Sequence, residues 1–135
     1  PTPAARTAEL PTDDPFAEAK AGCKAGQRQA CLDLADAFSG GPTADPGQAL
    51  VFLGRACDLR ATAACEKAGL QLTAAGRDEK RARRYLERAC DAGRGRACAT
   101  LAVLWREGRG GDANPRTADA FERRACQLGY GASCR

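Results

Sequence analysis

The 135-residue chain contains no histidine and no methionine, and only 5% of it is aromatic. Without histidine it lacks the commonest metal ligand and the one unperturbed side chain that titrates near neutrality. It also lacks the usual general base for a serine or cysteine nucleophile. β-Branched residues are sparse, which disfavours a sheet. No apolar stretch approaches 18 residues, so no segment is long and apolar enough to form a membrane-spanning helix. Charge of one sign does not dominate either. Twenty-one basic residues face seventeen acidic ones, giving a net charge of +4 and a pI near 8.8. No basic run is interleaved with aromatics, so nucleic-acid binding is not expected. Arginine makes up 17 of the 21 basic residues. Together with abundant alanine and glycine, this points to a GC-rich bacterial genome rather than to a function.

Cysteine, by contrast, is plentiful and regular. Eight cysteines form four pairs, Cys23/Cys31, Cys57/Cys65, Cys90/Cys98 and Cys126/Cys134, each with seven residues between its members. The pairs recur at steps of 34, 33 and 36 residues. A fixed period in this range marks a stacked repeat protein, in which each unit packs only on its neighbours.

The columns of the repeat read as two helices. From the second cysteine, Ala30-Cys31, Leu34-Ala35 and Phe38 lie on one face of a 3.6-period helix A. Ala97-Cys98, Leu101-Ala102 and Trp105 repeat the pattern; Ala64-Cys65, Ala68-Gly69 and Leu72 follow it. Gly40-Gly41, Gly76 and Gly108 are the expected stops. Before the first cysteine, Ala49, Phe52, Leu53 and Ala56 form helix B, as do Ala82, Tyr85, Leu86 and Ala89, and then Ala118, Phe121 and Ala125. Asp45-Pro46, Asp78-Glu79 and Asn114-Pro115 are its expected N-terminal caps. Short connections force antiparallel neighbours. The predicted architecture is all-α: αα-hairpins wound into a right-handed α/α superhelix over residues 13–135. It would open with a lone B-type helix, continue through about three repeats and close on a truncated unit.

The first cysteine ends helix B and the second opens helix A, so a turn of four or five residues brings them together. Disulfide-compatible Cα separations of roughly 4.4–6.8 Å are natural there, and the repeat symmetry selects the four local bridges 23–31, 57–65, 90–98 and 126–134. Each closes a loop contributing about 2.5 kcal/mol in the chain-entropy account, a large share of the roughly 5–15 kcal/mol of an ordinary domain. Such bonds persist in an oxidising compartment, so a periplasmic, outer-membrane-associated or secreted location is expected. Zinc sites use closer cysteine spacing and often histidine, and C-x-x-C redox motifs are absent. No metal, cofactor or catalytic residue is therefore assigned. The chain begins Pro1-Thr2-Pro3 without methionine. It reads as trimmed of a leader, with residues 1–12 a flexible tether and a lipid anchor on the removed N-terminus left open. At the other end a native terminus on the last disulfide is expected ahead of a cut from a longer array.

The pattern A-C-x-x-L-A-x-x-[FW]-x-x-G, a glycine-rich loop with Asp112, and A-x-x-[FY]-x-x-[RK]-A-C-x-x-G resembles Sel1-like repeats over about residues 14–135. More narrowly, it is similar to the disulfide-rich branch typified by the Helicobacter cysteine-rich proteins. The resemblance implies a secreted or periplasmic superhelical adaptor that holds protein partners. The second unit departs from it, running Ala75-Gly76-Arg77-Asp78 where a glycine-rich loop is expected, so its hairpin should be tighter. Some relatives are described as β-lactamases or penicillin binders. Ser39 and Ser133 are the only serines, and neither begins S-x-x-K.

Stacked hairpins create an extended concave surface, usually lined by the A helices. The A-helix positions outside the packing pattern are the candidate partner-binding residues: Leu32, Asp33 and Asp36; then Glu66, Lys67, Leu70 and Gln71; then Thr100, Val103 and Leu104. Apolar residues among charges suit an extended peptide or a partner helix. A basic face on the second B helix, with Arg81, Arg84 and Arg88 at i, i+3 and i+7 and Arg77 and Lys80 nearby, is the other candidate. The expectation is a non-enzymatic adaptor for a protein or peptide partner. The alternatives are an envelope hydrolase of β-lactamase or penicillin-binding type, or a purely structural spacer.

Overall fold

The computed structural model describes residues 14–134; the expected tether over residues 1–12 lies outside them. Among the described residues there are seven α-helices and no strand. They are α1 (Ala17–Lys24), α2 (Arg28–Ser39), α3 (Pro46–Asp58), α4 (Thr62–Ala75), α5 (Glu79–Asp91), α6 (Gly95–Glu107) and α7 (Pro115–Gln127). Helices α2, α4 and α6 are the A type and α1, α3, α5 and α7 the B type. Each helix packs on the next, A against B within a hairpin and B against A between hairpins.

The core is built from small residues. Ala56, Ala68, Ala89, Ala97 and Ala102 are fully buried, with Leu34, Leu86 and Leu101 filling the space between them. Small side chains let helix axes approach closely. The tightest case is Gly69 of α4, where a Cβ would lie 2.5 Å from Leu86 Cγ of α5. Rings cluster at the N-terminal end, Phe16 edge-on to Phe38 at 4.9 Å and Phe38 stacked on Phe52 at 5.8 Å.

All four disulfides join the cysteines that repeat symmetry pairs, with Cα separations of 4.6–4.8 Å. The turns they bridge are shorter than expected: three residues, as in Leu59–Ala61 between α3 and α4. The compactness has a backbone cause. In every B-to-A turn the third residue after the first cysteine has a left-handed φ, at Gly26, Arg60, Gly93 and Gly129. The amides that follow reach back five residues, Gln27 to the Gly22 carbonyl, Ala61 to Ala56, Arg94 to Ala89 and Tyr130 to Ala125, at 2.9–3.1 Å. This is the Schellman ending, and it turns the chain so sharply that helix A starts three residues before its cysteine.

The A-to-B turns are less uniform. Gly76 and Gly108 end α4 and α6 in the left-handed conformation, as expected, whereas Gly40 is extended. Asp45 and Asn114 cap α3 and α7 by accepting from Gln48 N and Thr117 N, both at 3.2 Å. Asp78 does not cap α5. Its turn is the tight one foreseen, only three residues long, and Asp78 takes a left-handed φ of 44° that leaves its carboxylate to pair with Arg81 at 3.4 Å.

The glycine-rich loop after α6 holds two repeats together. Gly110 lies against the first turn of α5, where a Cβ would collide with the Glu79 carbonyl. Arg83 of α5 donates to the carbonyls of Arg109 (2.7 Å), Leu104 and Asp112 (3.0 Å each), with its guanidinium 4.2 Å from the Trp105 ring centroid. Arg109 reaches the other way, pairing with Glu79 and donating to the Thr73 carbonyl at 2.8 Å. Two substitutions separate these backbone demands. Arg60→Gly relieves the one non-glycine at its turn position and should raise unfolding stability by about 0.5–1 kcal/mol. Gly110→Ala adds strain and a collision and should lower it by about 2–4 kcal/mol. Chemical denaturation of the oxidised protein measures both.

Candidate partner-binding groove

The B-type helices α3 and α5 stand side by side, and a groove of about 380 Å³ runs between them. The exposed Val51 and the half-buried Leu50 of α3 supply its apolar surface, with the core residue Leu72 of α4 behind them; Arg55 and Asp58 of α3 face Arg81, Arg84 and Arg88 of α5. Val51 is 49% exposed, one of the few large apolar side chains left to solvent among the described residues. Asp58 and Arg88 also line a separate hollow at the second disulfide turn, and Arg55 and Asp58 another at the first.

Gly54 and Tyr85 set its width. Tyr85 occupies the column that holds Phe52 and Phe121 in the neighbouring repeats, so its ring is core and only 8% exposed. Its hydroxyl extends across α3 at Gly54, where a Cβ would sit 2.6 Å from the phenolic oxygen. Any other residue at 54 would push the ring or the helix away. Burial raises the Tyr85 pKa above its ordinary value near 10; Arg81 opposes the shift and Asp58 adds to it.

The charges in the groove do not cancel. Asp58 is held by Arg88 at 2.8 Å, and Asp78 by Arg81 at 3.4 Å. Arg84 and Arg55 have no acidic partner among the described residues; Arg55 lies 5.5 Å from the Phe52 ring centroid. A larger hollow of about 750 Å³ beside α7 differs in this respect, because its two arginines, Arg106 and Arg123, are balanced by Asp119 and Glu122, which engage Arg106 at 2.8 and 3.3 Å.

Of the basic face expected on α5, Arg81, Arg84 and Arg88 line the groove. Arg77 precedes the helix and Lys80 is exposed outside the groove lining. The row expected on the A helices is broken. Leu104 is 0% exposed, because it continues the stripe Ala97, Leu101, Leu104 at i, i+4, i+7 and belongs to the core. Leu32 and Leu70 are half-buried and packed against that core. Glu66 is engaged by Arg94 at 3.1 Å, Asp33 accepts from Gln29 at 2.8 Å, and the half-buried Thr100 donates to the Arg96 carbonyl at 3.0 Å. Asp36, Lys67, Gln71 and Val103 remain exposed, Val103 at 39%. Sequence reasoning missed the α3 wall of the groove. Two signals were present: a glycine inside a helical pattern at Gly54, and a hydroxyl at Tyr85 in a column of phenyl rings.

No protein-family model matches the chain, and no curated protein does. Solved structures do. A Sel1 repeat protein from Oxalobacter formigenes superposes with a TM-score of 0.67 at 23% identity, covering 86% of this chain and 91% of that one. The fold is that of the Sel1-like repeat. A protective antigen of uropathogenic Escherichia coli that displays an SLR fold aligns at a TM-score of 0.69 and 23% identity, over 90% of this chain and 27% of that one. Helicobacter pylori cysteine rich protein B aligns at 0.63 and 20% identity, over 90% and 96%. Within this Sel1-like solenoid the α3–α5 groove is formed by the B helices of successive hairpins.

A phenol with a raised folded-state pKa favours folding most below its unfolded pKa, about 10, and that contribution is lost as pH rises through the folded value. With Tyr130→Phe leaving Tyr85 as the sole tyrosine, ultraviolet absorbance should show phenolate forming later than in the unfolded chain. Stability should fall above about pH 10, and Tyr85→Phe should remove that fall.

Proposed function

We propose that the chain is a non-enzymatic scaffold that binds a protein or peptide partner in an oxidising compartment, periplasmic, outer-membrane-associated or secreted. The observation that carries this reading is the α3–α5 groove, which sets two guanidiniums without acidic partners among the described residues, Arg55 and Arg84, beside the exposed Val51 and the half-buried Leu50. Exposed apolar surface rimmed by charge is the usual composition of an interaction site. A solenoid supports such a role because its groove lies on rigid helices, so little ordering entropy is lost when a partner docks. Four disulfides favour the compartment, since cytosolic thiols are kept reduced. The groove is preferred to the A-helix surface because Arg55 and Arg84 have no acidic partner among the described residues and stand beside the exposed Val51, whereas on the A helices Leu104 is buried and Glu66 is engaged by Arg94.

Cross-linking in a cell-envelope extract of the producing organism tests the reading. Wild type and a Lys67→Glu/Val103→Asp variant of the A helices should give the same cross-linked species. An Arg55→Glu/Arg84→Glu variant with unchanged circular dichroism should lose it. Loss in the A-helix variant alone would move the site to that surface, and no discrete species from any protein would sink the scaffold reading.

A further inference from the structure

The charge and shape of the groove carry the partner's chemistry further. Four arginines line it against one lining carboxylate, Asp58, which is held by Arg88, while Arg81 pairs with Asp78. Arg84 and Arg55 stand exposed on opposite walls, α5 and α3. Between them lie Leu50 and the half-exposed Val51, with the core residue Leu72 behind. The Tyr85 hydroxyl, for which no protein partner within hydrogen-bonding distance is found among the described residues, borders the same space.

We propose that the α3–α5 groove binds an extended acidic peptide in which two carboxylates flank one aliphatic or aromatic side chain. The inference rests on the scaffold reading above and gives its partner a class. An extended chain turns successive side chains to opposite faces and rises about 3.3 Å per residue. An apolar residue can therefore drop onto Val51 and the accessible part of Leu50 while its two neighbours turn outward to Arg84 and Arg55. Guanidinium–carboxylate pairing is charge-assisted and can be bidentate. The Tyr85 hydroxyl adds a donor for a carboxylate or a backbone carbonyl. A nucleic acid fits less well, because bases would need an exposed ring to stack on and the Tyr85 face is buried. A flat anionic membrane would reach the outer guanidiniums but leave the apolar strip between the helices unused.

Fluorescence anisotropy with the oxidised protein tests this. The probe is a dye-labelled peptide with a glutamate–leucine–glutamate core between glycine–serine arms. Controls are the same peptide with lysine for glutamate, the same with serine for leucine, and phosphatidylglycerol vesicles. Saturable binding of the glutamate–leucine–glutamate peptide is expected, falling as salt rises. The lysine version should not bind. Arg55→Glu/Arg84→Glu should weaken binding by about tenfold or more, and Val51→Asp by a similar factor. All three positions are exposed, and circular dichroism checks the fold of each variant. Equal binding of the lysine peptide, unchanged affinity in the double variant, or capture by vesicles without peptide binding would overturn the proposal. If the acidic peptide fails while the same double variant still loses its cross-linked partner, the acidic class falls and the scaffold reading stands. If the cross-link is also insensitive, both fall.

Discussion

Three of the four disulfides tie the last turn of a B helix to the first turn of the next A helix across three residues of backbone, and the fourth ties the end of α7 to the short 3-10 turn that follows it. Those three bonds sit where one hairpin hands over to the next, the contact a repeat array depends on for cooperativity. The apolar material available there is slight, mostly alanine and single leucines. Dispersion and burial from such small side chains are limited, so the covalent link and the Schellman backbone bonds beneath it fix the handover geometry. Cys31, Cys57, Cys65, Cys90 and Cys98 are themselves fully buried. The sulfurs therefore serve as core atoms as well as staples, whereas Cys134 at the last turn is exposed.

Once the handover is set, the relation between whole repeats is adjusted by contacts that differ from one junction to the next. At the second and third repeats the adjustment is polar. Arg83 and Arg109 exchange hydrogen bonds with carbonyls across the junction, and glycines allow the loop to lie directly on α5. Arginine suits this work because its fixed fork of donors satisfies several loop carbonyls at once while its face lies on Trp105. At the N-terminal end the same task falls to three phenylalanine rings, one edge-on and one stacked against Phe38. One architecture is thus held by different chemistry at its two ends.

The groove follows from this arrangement. Its width is the distance at which Tyr85 fits over Gly54, and its charge is what remains after Asp58 and Asp78 have paired. A rigid wall on each side and surplus positive charge between them favour an extended, negatively charged segment over a folded domain, which would need a broader surface to bury enough area.

The repeat period, the helix pairs, the cysteine partners and most helix stops were legible in the sequence, because each rests on local spacing: the 3.6-residue stripe, the glycine after a helix, the invariant seven-residue gap. The arginines at 81, 84 and 88 were legible for the same reason. Their significance was not, since a charged helix face is ordinarily solvated and only the approach of α3 turns this one into a wall of a groove. Local reasoning failed where a residue's role depends on a neighbour distant in sequence. Leu104 reads as spare on a single helix but completes a core stripe. Asp78 reads as a cap but is turned away by a tight loop. Arg83, to which local spacing assigned no role, grips the end of α6 and the loop after it, 21 to 29 residues further on. Spacing along the chain determined which elements form and how consecutive ones are tied. Which side chains remain free to meet a partner was decided only by tertiary packing, because pairing and burial belong to surfaces that two helices make together.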